Sequence, residues 1–201
     1  MMRRNMVKKI AITGGIGSGK STVLKILKDE GFSVFSCDEI YKEILSDKEY
    51  IQKICLAFPS VIENNAINKK KLADIIFNNK EKRALLDSIA HPLIMGRLRE
   101  KMSQENGLVF AEVPLLFESG YEHMFDGVIV VQRSINDRIH AVAARDKLGE
   151  NEVISRINSQ YNYDMLEMDA TKNEGFIQIL YNNQSIEDLK NRLKNIIEKF
   201  A

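Results

Sequence analysis

Hydrophobic positions along the chain change period several times, and each change predicts an element. The run Ile10-Ala11-Ile12 ends a segment from Val7 to Thr13 that reads as a strand covered on both faces towards its end. Val23, Ile26 and Leu27 then fall at helical spacing, predicting a helix from about Thr22 to Glu30 with Gly31 as its stop. Phe32 to Ser36 predicts a second short strand. Asp38 follows and is expected to begin a helix running to about Leu45.

From there to Glu105 the pattern is mostly helical. Leu72, Ile75 and Ile76 share one face, as do Leu85, Leu86 and Ile89, and Pro59 and Pro92 are expected to interrupt the region. No strong strand is predicted between about residues 40 and 105, so this stretch reads as a helical insertion rather than a simple crossover. Leu108 to Glu112 is the next strand, followed by a loop from Pro114 to Gly120. Val128 to Val131 is a continuous apolar run of the kind found in buried parallel strands. Ser134 to Lys147 is helical, with Ile135, Ile139 and Val142 as the expected buried face, and Glu150 to Gln160 continues the helical pattern. Phe176 to Leu180 is a last strand. Ser185, with Asp188 three residues on, opens a final helix whose apolar face is Ile186, Leu189, Leu193, Ile196, Ile197 and Phe200. Strands alternating with helices imply a parallel sheet with right-handed crossovers, and ligands in such sheets bind beyond the carboxyl ends of the strands.

Between the first strand and the first helix lies Gly14-Gly15-Ile16-Gly17-Ser18-Gly19-Lys20-Ser21-Thr22. Gly14, Gly19, Lys20 and Ser21 meet the spacing G-x-x-x-x-G-K-S, and a strand, a glycine loop and a helix start occur in the order a phosphate cradle requires. Glycines let the backbone curl so that several N–H groups converge on one anion, and the helix start adds its positive dipole end. Lys20 brings a point charge to the outer phosphates, and Ser21 offers a hydroxyl to Mg²⁺.

Phosphoryl transfer also needs a group that orients or deprotonates the nucleophile, and cations that match the charge on the transferring group. Asp38 is the candidate base, with a helix N-cap as its plain structural alternative. Glu112, ending a strand, resembles the acid of a second nucleotide motif; the alternative is an ordinary strand-end charge. Arg138 and Arg145 lie seven residues apart on one helix face and are suited to clasp phosphate oxygens, against an alternative of a solvated helix face. His91, His123 and His140 are too scattered to argue for a metal site. Lys69-Lys70-Lys71 reads as a solvated helix start.

Composition narrows the classes. The 201 residues carry 29 basic and 28 acidic side chains, a formal net charge of +1, which leaves no electrostatic footprint for nucleic acid. Cys37 and Cys55 form neither a metal spacing nor a disulfide framework, so a reducing cytoplasm is the expected compartment. Arg3, Arg4, Lys8 and Lys9 are not followed by an apolar stretch of signal-peptide length, and no run approaches a membrane span. A guanine-nucleotide switch would need Asp-x-x-Gly after a strand and Asn-Lys-x-Asp. Asp146-Lys147-Leu148-Gly149 has the first spacing but ends a helical stretch, and Thr171-Lys172-Asn173-Glu174 only loosely imitates the second. A nucleic-acid module is opposed by the balanced charge and the lack of an aromatic stacking platform.

Taken together the motifs resemble the dephospho-coenzyme A kinases. The matching pieces are Thr13 through Thr22, Cys37-Asp38-Glu39-Ile40, Leu72 through Phe77, Arg83, His91-Pro92-Leu93-Ile94, and Glu112-Val113-Pro114-Leu115-Leu116-Phe117-Glu118. They continue with Arg145-Asp146, Arg156-Ile157 with Gln160, and Asn182-Asn183. The Pro-Leu-Leu-Phe-Glu piece is the discriminator, since the glycine loop alone fits many nucleotide binders. The resemblance implies a P-loop NTPase-type three-layer α/β/α fold, with a parallel sheet, a helical substrate insertion and a helical lid. It implies one kinase domain, with its nucleotide core at about 7–40, 106–135 and 174–201, an acceptor insertion at about 41–105 and a lid at about 136–173. The implied reaction moves the γ-phosphoryl of ATP to the 3′-hydroxyl of the ribose of dephospho-CoA, with ATP and Mg²⁺ bound, in the last step of CoA biosynthesis.

By that resemblance Asp38, Lys20 and Arg145 carry the chemistry. Gly15, Ile16, Gly17, Ser18, Gly19, Lys20, Ser21 and Thr22 hold the nucleotide, with Arg145 over ATP and Asn182 in the adenine surround. Asp38, Lys42, Arg83, His91, Glu112, Pro114, Leu115 and Leu116 lie on the acceptor side, and Ser21 is the metal ligand. The implied partners are small molecules, with neither nucleic acid nor membrane, and the protein is a monomer or weak homo-oligomer. The sequence departs from the family pattern at Ser36, where an acid is common, and at Lys42 and Ala141, where arginines are usual. It departs again at Gln184, where a glycine is usual.

Overall fold

The computed structural model of the chain describes residues 7–77, 79–166 and 175–201. Two compact units are present: one combines residues up to Phe35 with Met102–Ala201, and the other is Ser36–Lys101.

The first unit is built on a five-stranded sheet. Its strands are β1 (Lys8–Thr13), β2 (Ser33–Ser36), β5 (Leu108–Glu112), β6 (Gly127–Gln132) and β7 (Ile177–Tyr181), in the order β2-β5-β1-β6-β7. The pairings β1–β5, β1–β6 and β6–β7 are parallel, so β1 is central and its carboxyl end opens into the glycine loop. Every residue of β6 is buried, as its apolar run predicts for a strand covered on both faces.

Helix α1 (Lys20–Asp29) buries Val23, Leu24, Ile26 and Leu27. It ends in a Schellman arrangement in which Gly31 N–H donates to the Lys28 carbonyl and Phe32 N–H to the Leu27 carbonyl, both at 3.0 Å. The last helix, α9 (Ile186–Phe200), is capped by Ser185, whose hydroxyl accepts from Asp188 N–H at 3.1 Å. It buries Leu189, Leu193, Ile196 and Phe200, each worth about 1.5–3 kcal/mol relative to exposure. Ile186, expected on the same face, is 62% exposed because it lies in the first turn, before the helix reaches the core.

The second unit is helical, with α2 (Cys37–Ile44), α3 (Lys48–Ala57), α4 (Lys69–Phe77) and most of α5 (Lys80–Ser103). Asp47 caps α3 by accepting from Glu49 N–H and Tyr50 N–H, and its other oxygen takes Arg97 at 3.1 Å. Two differences from the sequence expectation stand out. A small hairpin, β3 (Ile62–Glu63) with β4 (Ala66–Ile67), turns through Asn64 and Asn65 at φ 49° and 60°. Two left-handed asparagines make a tight primed turn, and strands of two residues leave no alternation to read. Pro92 does not interrupt α5. Its missing N–H removes one rung, but the buried row Leu86, Ala90, Ile94 and Leu98 continues at four-residue spacing through it and holds the helix together.

The first unit also contains α6 (Leu116–Ser119), α7 (Ile135–Asp146) and α8 (Glu150–Asn158). On α7 only Val142 of the expected apolar face is buried; Ile135 is 50% exposed and lines a cleft with Tyr161 and Tyr163. Val142 lies against Gly17 of the glycine loop and is not part of the hydrophobic cluster around the sheet.

Candidate active site

Sequence dictates the loop before any packing does. Gly19 adopts φ 96° at the N-cap of α1, a left-handed conformation that side chains resist. A Cβ there would also meet Nδ2 of Asn182 at 2.1 Å. Asn182 uses that close approach to donate Nδ2 to the Ser18 carbonyl at 2.9 Å, while its own N–H donates to the Gln132 carbonyl at 2.8 Å. Thus β6 and the residue just past β7 both brace the loop. The first turn of α1 sits at the positive end of the helix dipole, and within it Thr22 N–H donates to the Gly19 carbonyl at 3.0 Å.

Lys20 folds back across the loop, its Nζ donating to the Gly14 carbonyl at 2.7 Å and the Gly15 carbonyl at 3.3 Å. The ammonium therefore sits over the loop that curls in front of α1. Ser21 is exposed in the first turn of α1, and Thr22 is half-buried beside it. Ser18 is buried, and its hydroxyl oxygen makes no hydrogen bond among the described residues. Ile16 is held on both sides: its N–H donates to Gln160 Oε1 at 2.8 Å and its carbonyl accepts from Arg138 Nε at 2.9 Å.

Glu112 ends β5 half-buried, in register with Ile12 of β1, so the sheet itself sets this carboxylate beside the strand that feeds the loop. The turn after it carries Pro114, Leu115 and Leu116. Leu115 is 42% exposed and Leu116 fully buried, so of these two leucines only Leu115 offers surface to a ligand. A buried tyrosine links this turn to the loop strand. The Tyr163 hydroxyl donates to the Pro114 carbonyl and lies 3.2 Å from the Thr13 hydroxyl, and Gln132 Nε2 donates to the Tyr163 carbonyl at 3.0 Å. Tyr163 and Gln132 escaped the sequence reading, and Thr13 entered it only as the end of the first strand and the first residue of the loop motif. The stretch Tyr161-Asn162-Tyr163 has no periodicity, and its tyrosines are indistinguishable in sequence from surface residues.

Burial pushes the Tyr163 phenol up to about 12 from an ordinary 10.0, with the Thr13 hydrogen bond pulling the other way. A raised tyrosine stays neutral in the folded chain while the unfolded chain ionises. Its contribution is therefore complete below pH 10 and lost as pH rises from about 10 through 12. Denaturant titrations at pH 9 and pH 11.5 should show a drop for the native chain, and a smaller drop for Tyr163→Phe.

Arg145 is placed differently from Arg138. Its guanidinium forks onto neighbouring Asp146, Nε to Oδ1 at 2.7 Å and Nη2 to Oδ2 at 2.9 Å, and the side chain is exposed. This pairing holds the arginine above, and the Asp146 carboxyl below, their ordinary pKa values. Asp146 ends α7 rather than following a strand, unlike the acid of a guanine-nucleotide switch. Residues 171–174, which loosely imitate the guanine motif, lie outside the described residues, as does the end of the expected lid, 167–173.

The remaining candidates belong to the helical unit. Asp38 is exposed at the second position of α2, two residues past β2, and the cap position is Ser36. The N-cap alternative for Asp38 is thereby removed. Lys42 is exposed in the last turn of α2. Arg83 Nη2 donates to the Phe77 carbonyl at 3.0 Å, closing the end of α4. His91 Nε2 lies 3.8 Å from Asp87 Oδ1, one turn earlier on α5. Among the described residues no cluster of three or more His, Cys, Asp or Glu could hold a metal ion, and no helix is long and apolar enough to cross a membrane.

Known proteins resemble this chain over nearly its full length. A curated dephospho-CoA kinase from Thermus thermophilus is 34% identical over 193 residues, covering 96% of this chain and 91% of the relative. A solved structure from the same organism superposes with a TM-score of 0.78 at 30% identity, covering 99% of this chain and 100% of that one. The structure of dephospho-CoA kinase from Campylobacter jejuni gives 0.67 at 30% identity, with 97% and 98% covered. The sequence profile described as dephospho-CoA kinase matches residues 8–188, and the chain belongs to the dephospho-CoA kinase family.

Proposed function

We propose that the protein transfers the γ-phosphoryl group of ATP to the 3′-hydroxyl of the ribose of dephospho-CoA, giving CoA and ADP. What carries this reading is a phosphate loop at the carboxyl end of the central strand, in a chain matched to one kinase family from residue 8 to 188. In this reading the loop N–H groups, Lys20 and Thr22 hold the triphosphate, and Asn182 flanks the adenine while bracing the loop. The buried, unbonded Ser18 hydroxyl fits a site built to receive a further polar group.

Ser21 is the residue suited to Mg²⁺. A hydroxyl plus phosphate oxygens and water is the usual magnesium environment in such loops, where the ion neutralises charge on the β and γ oxygens. Asp38 accepts the hydroxyl proton as the new O–P bond forms and the bond to the β–γ bridging oxygen breaks. Residues 41–105, with Lys42, Arg83 and His91, serve acceptor binding, and Glu112, Pro114 and Leu115 are assigned to the same role. Residues 136–173 act as the lid, within which Arg145 exchanges Asp146 for phosphate oxygens. The compartment in this reading is the cytoplasm, and the working form a monomer or weak homo-oligomer.

A coupled ADP-release assay comparing dephospho-CoA with nucleoside monophosphates tests the assignment. Turnover restricted to dephospho-CoA, with mass spectrometric fragmentation placing the new phosphate on the ribose, is the expected result. Turnover of another acceptor without dephospho-CoA overturns it.

A further inference from the structure

We infer that Arg138 and Gln160 are positioning residues that hold the phosphate loop in its binding shape by gripping the backbone of Ile16 from opposite sides. Neither side chain need touch substrate to do this. Gln160, just past the end of α8, accepts the Ile16 N–H at 2.8 Å, and Arg138, on α7, donates Nε to the Ile16 carbonyl at 2.9 Å. The two grips lie 22 positions apart in sequence, yet meet on one residue. Both engage backbone, so the identity of the side chain at position 16 is immaterial to them.

The neighbouring glycines carry the same message. A Cβ at Gly15 would meet Arg138 Nη2 at 2.1 Å, and one at Gly17 would meet the Arg138 carbonyl at 2.8 Å and Val142 Cγ2 at 2.9 Å. At Gly17 a left-handed φ of 78° and the backbone of α7 both call for glycine, whereas a side chain at Gly15 would displace the Arg138 guanidinium from its place beside Ile16. Four glycines among the six residues from Gly14 to Gly19 make the free loop entropically loose, at about 1–2 kcal/mol for each residue ordered. A loop already fixed in the unliganded protein leaves less of that ordering to be done when ATP arrives, which strengthens binding without a new contact. The Ile16 N–H is also taken by Gln160, so it is not among the donors offered to phosphate.

This inference rests on the kinase reading and concerns ATP affinity within it. Gln160→Leu removes the acceptor at similar size, Gln160→Glu keeps an acceptor at the same reach, and Arg138→Met removes the donor. Gln160→Leu is expected to raise the ATP Kd and KM about tenfold, the size expected from losing one half-buried hydrogen-bond partner, with acceptor KM and kcat within about threefold. Gln160→Glu should recover most of the loss. The double variant should be no worse than the poorer single one, because either loss frees the same residue. Unchanged ATP affinity in Gln160→Leu, fully additive losses, or an equal rise in both KM values with a lowered Tm would overturn the clamp. An inactive wild-type chain would instead remove the kinase reading; an active one with unmoved variants removes only the clamp.

Discussion

Asp38→Asn is expected to lower kcat by about 10²–10⁴-fold while ATP affinity stays within about twofold, the loss typical of removing a general base. A ribose hydroxyl is a poor nucleophile at neutral pH, and a carboxylate within hydrogen-bond reach takes its proton as the bond to phosphorus forms. An amide of the same shape cannot. The structure makes the substitution clean. Asp38 is exposed at the second position of α2, and the cap position belongs to Ser36. Folding therefore depends on Asp38 only through the helix dipole, about 0.3–1 kcal/mol at most for such a site. The check pairs steady-state turnover of dephospho-CoA with calorimetric ATP binding. A variant turning over within about threefold of wild type would remove Asp38 from the chemistry, since a general base contributes far more.

Lys20→Ala should damage both binding and chemistry, with kcat/KM for ATP falling about 10³-fold, at the upper end for loss of one preorganised charged donor. Two losses combine. The ammonium that meets the outer phosphates disappears, and so do its bonds to the Gly14 and Gly15 carbonyls, which tie the loop across its own mouth. The second loss is shared with the Ile16 clamp, so Lys20→Ala and Gln160→Leu should combine less than additively on ATP affinity. Fold stability should change little, because Lys20 is only half-buried and opens α1 rather than packing its core face. Nucleotide titration and single-turnover kinetics check both parts. An unaltered ATP affinity would mean that the loop binds its ligand without its lysine.

The alternating elements were legible because their signals are local. A buried parallel strand needs a continuous apolar run, and Val128 to Val131 supplies one; an exposed cap needs a hydroxyl before an apolar row, and Ser185 is one. The glycine loop was legible for the same reason, since its conformation demands small residues within eight positions of chain. The hairpin at Asn64–Asn65 and the continuity of α5 through Pro92 were not. The first is too short to show a period, and the second is decided by packing that local rules do not contain.

The chain by itself therefore determined the layered α/β class, the phosphate loop and the family, because each is written in contiguous residues. Only the tertiary structure decided what surrounds that loop. It set Arg138 and Gln160 on Ile16, Asn182 on Ser18, and Tyr163 between Thr13 and Pro114. Most of these partners are separated by tens of residues along the chain. Hydrogen bonds between them exist only once the sheet has closed its register and the helices have packed above it, so no local spacing announces them.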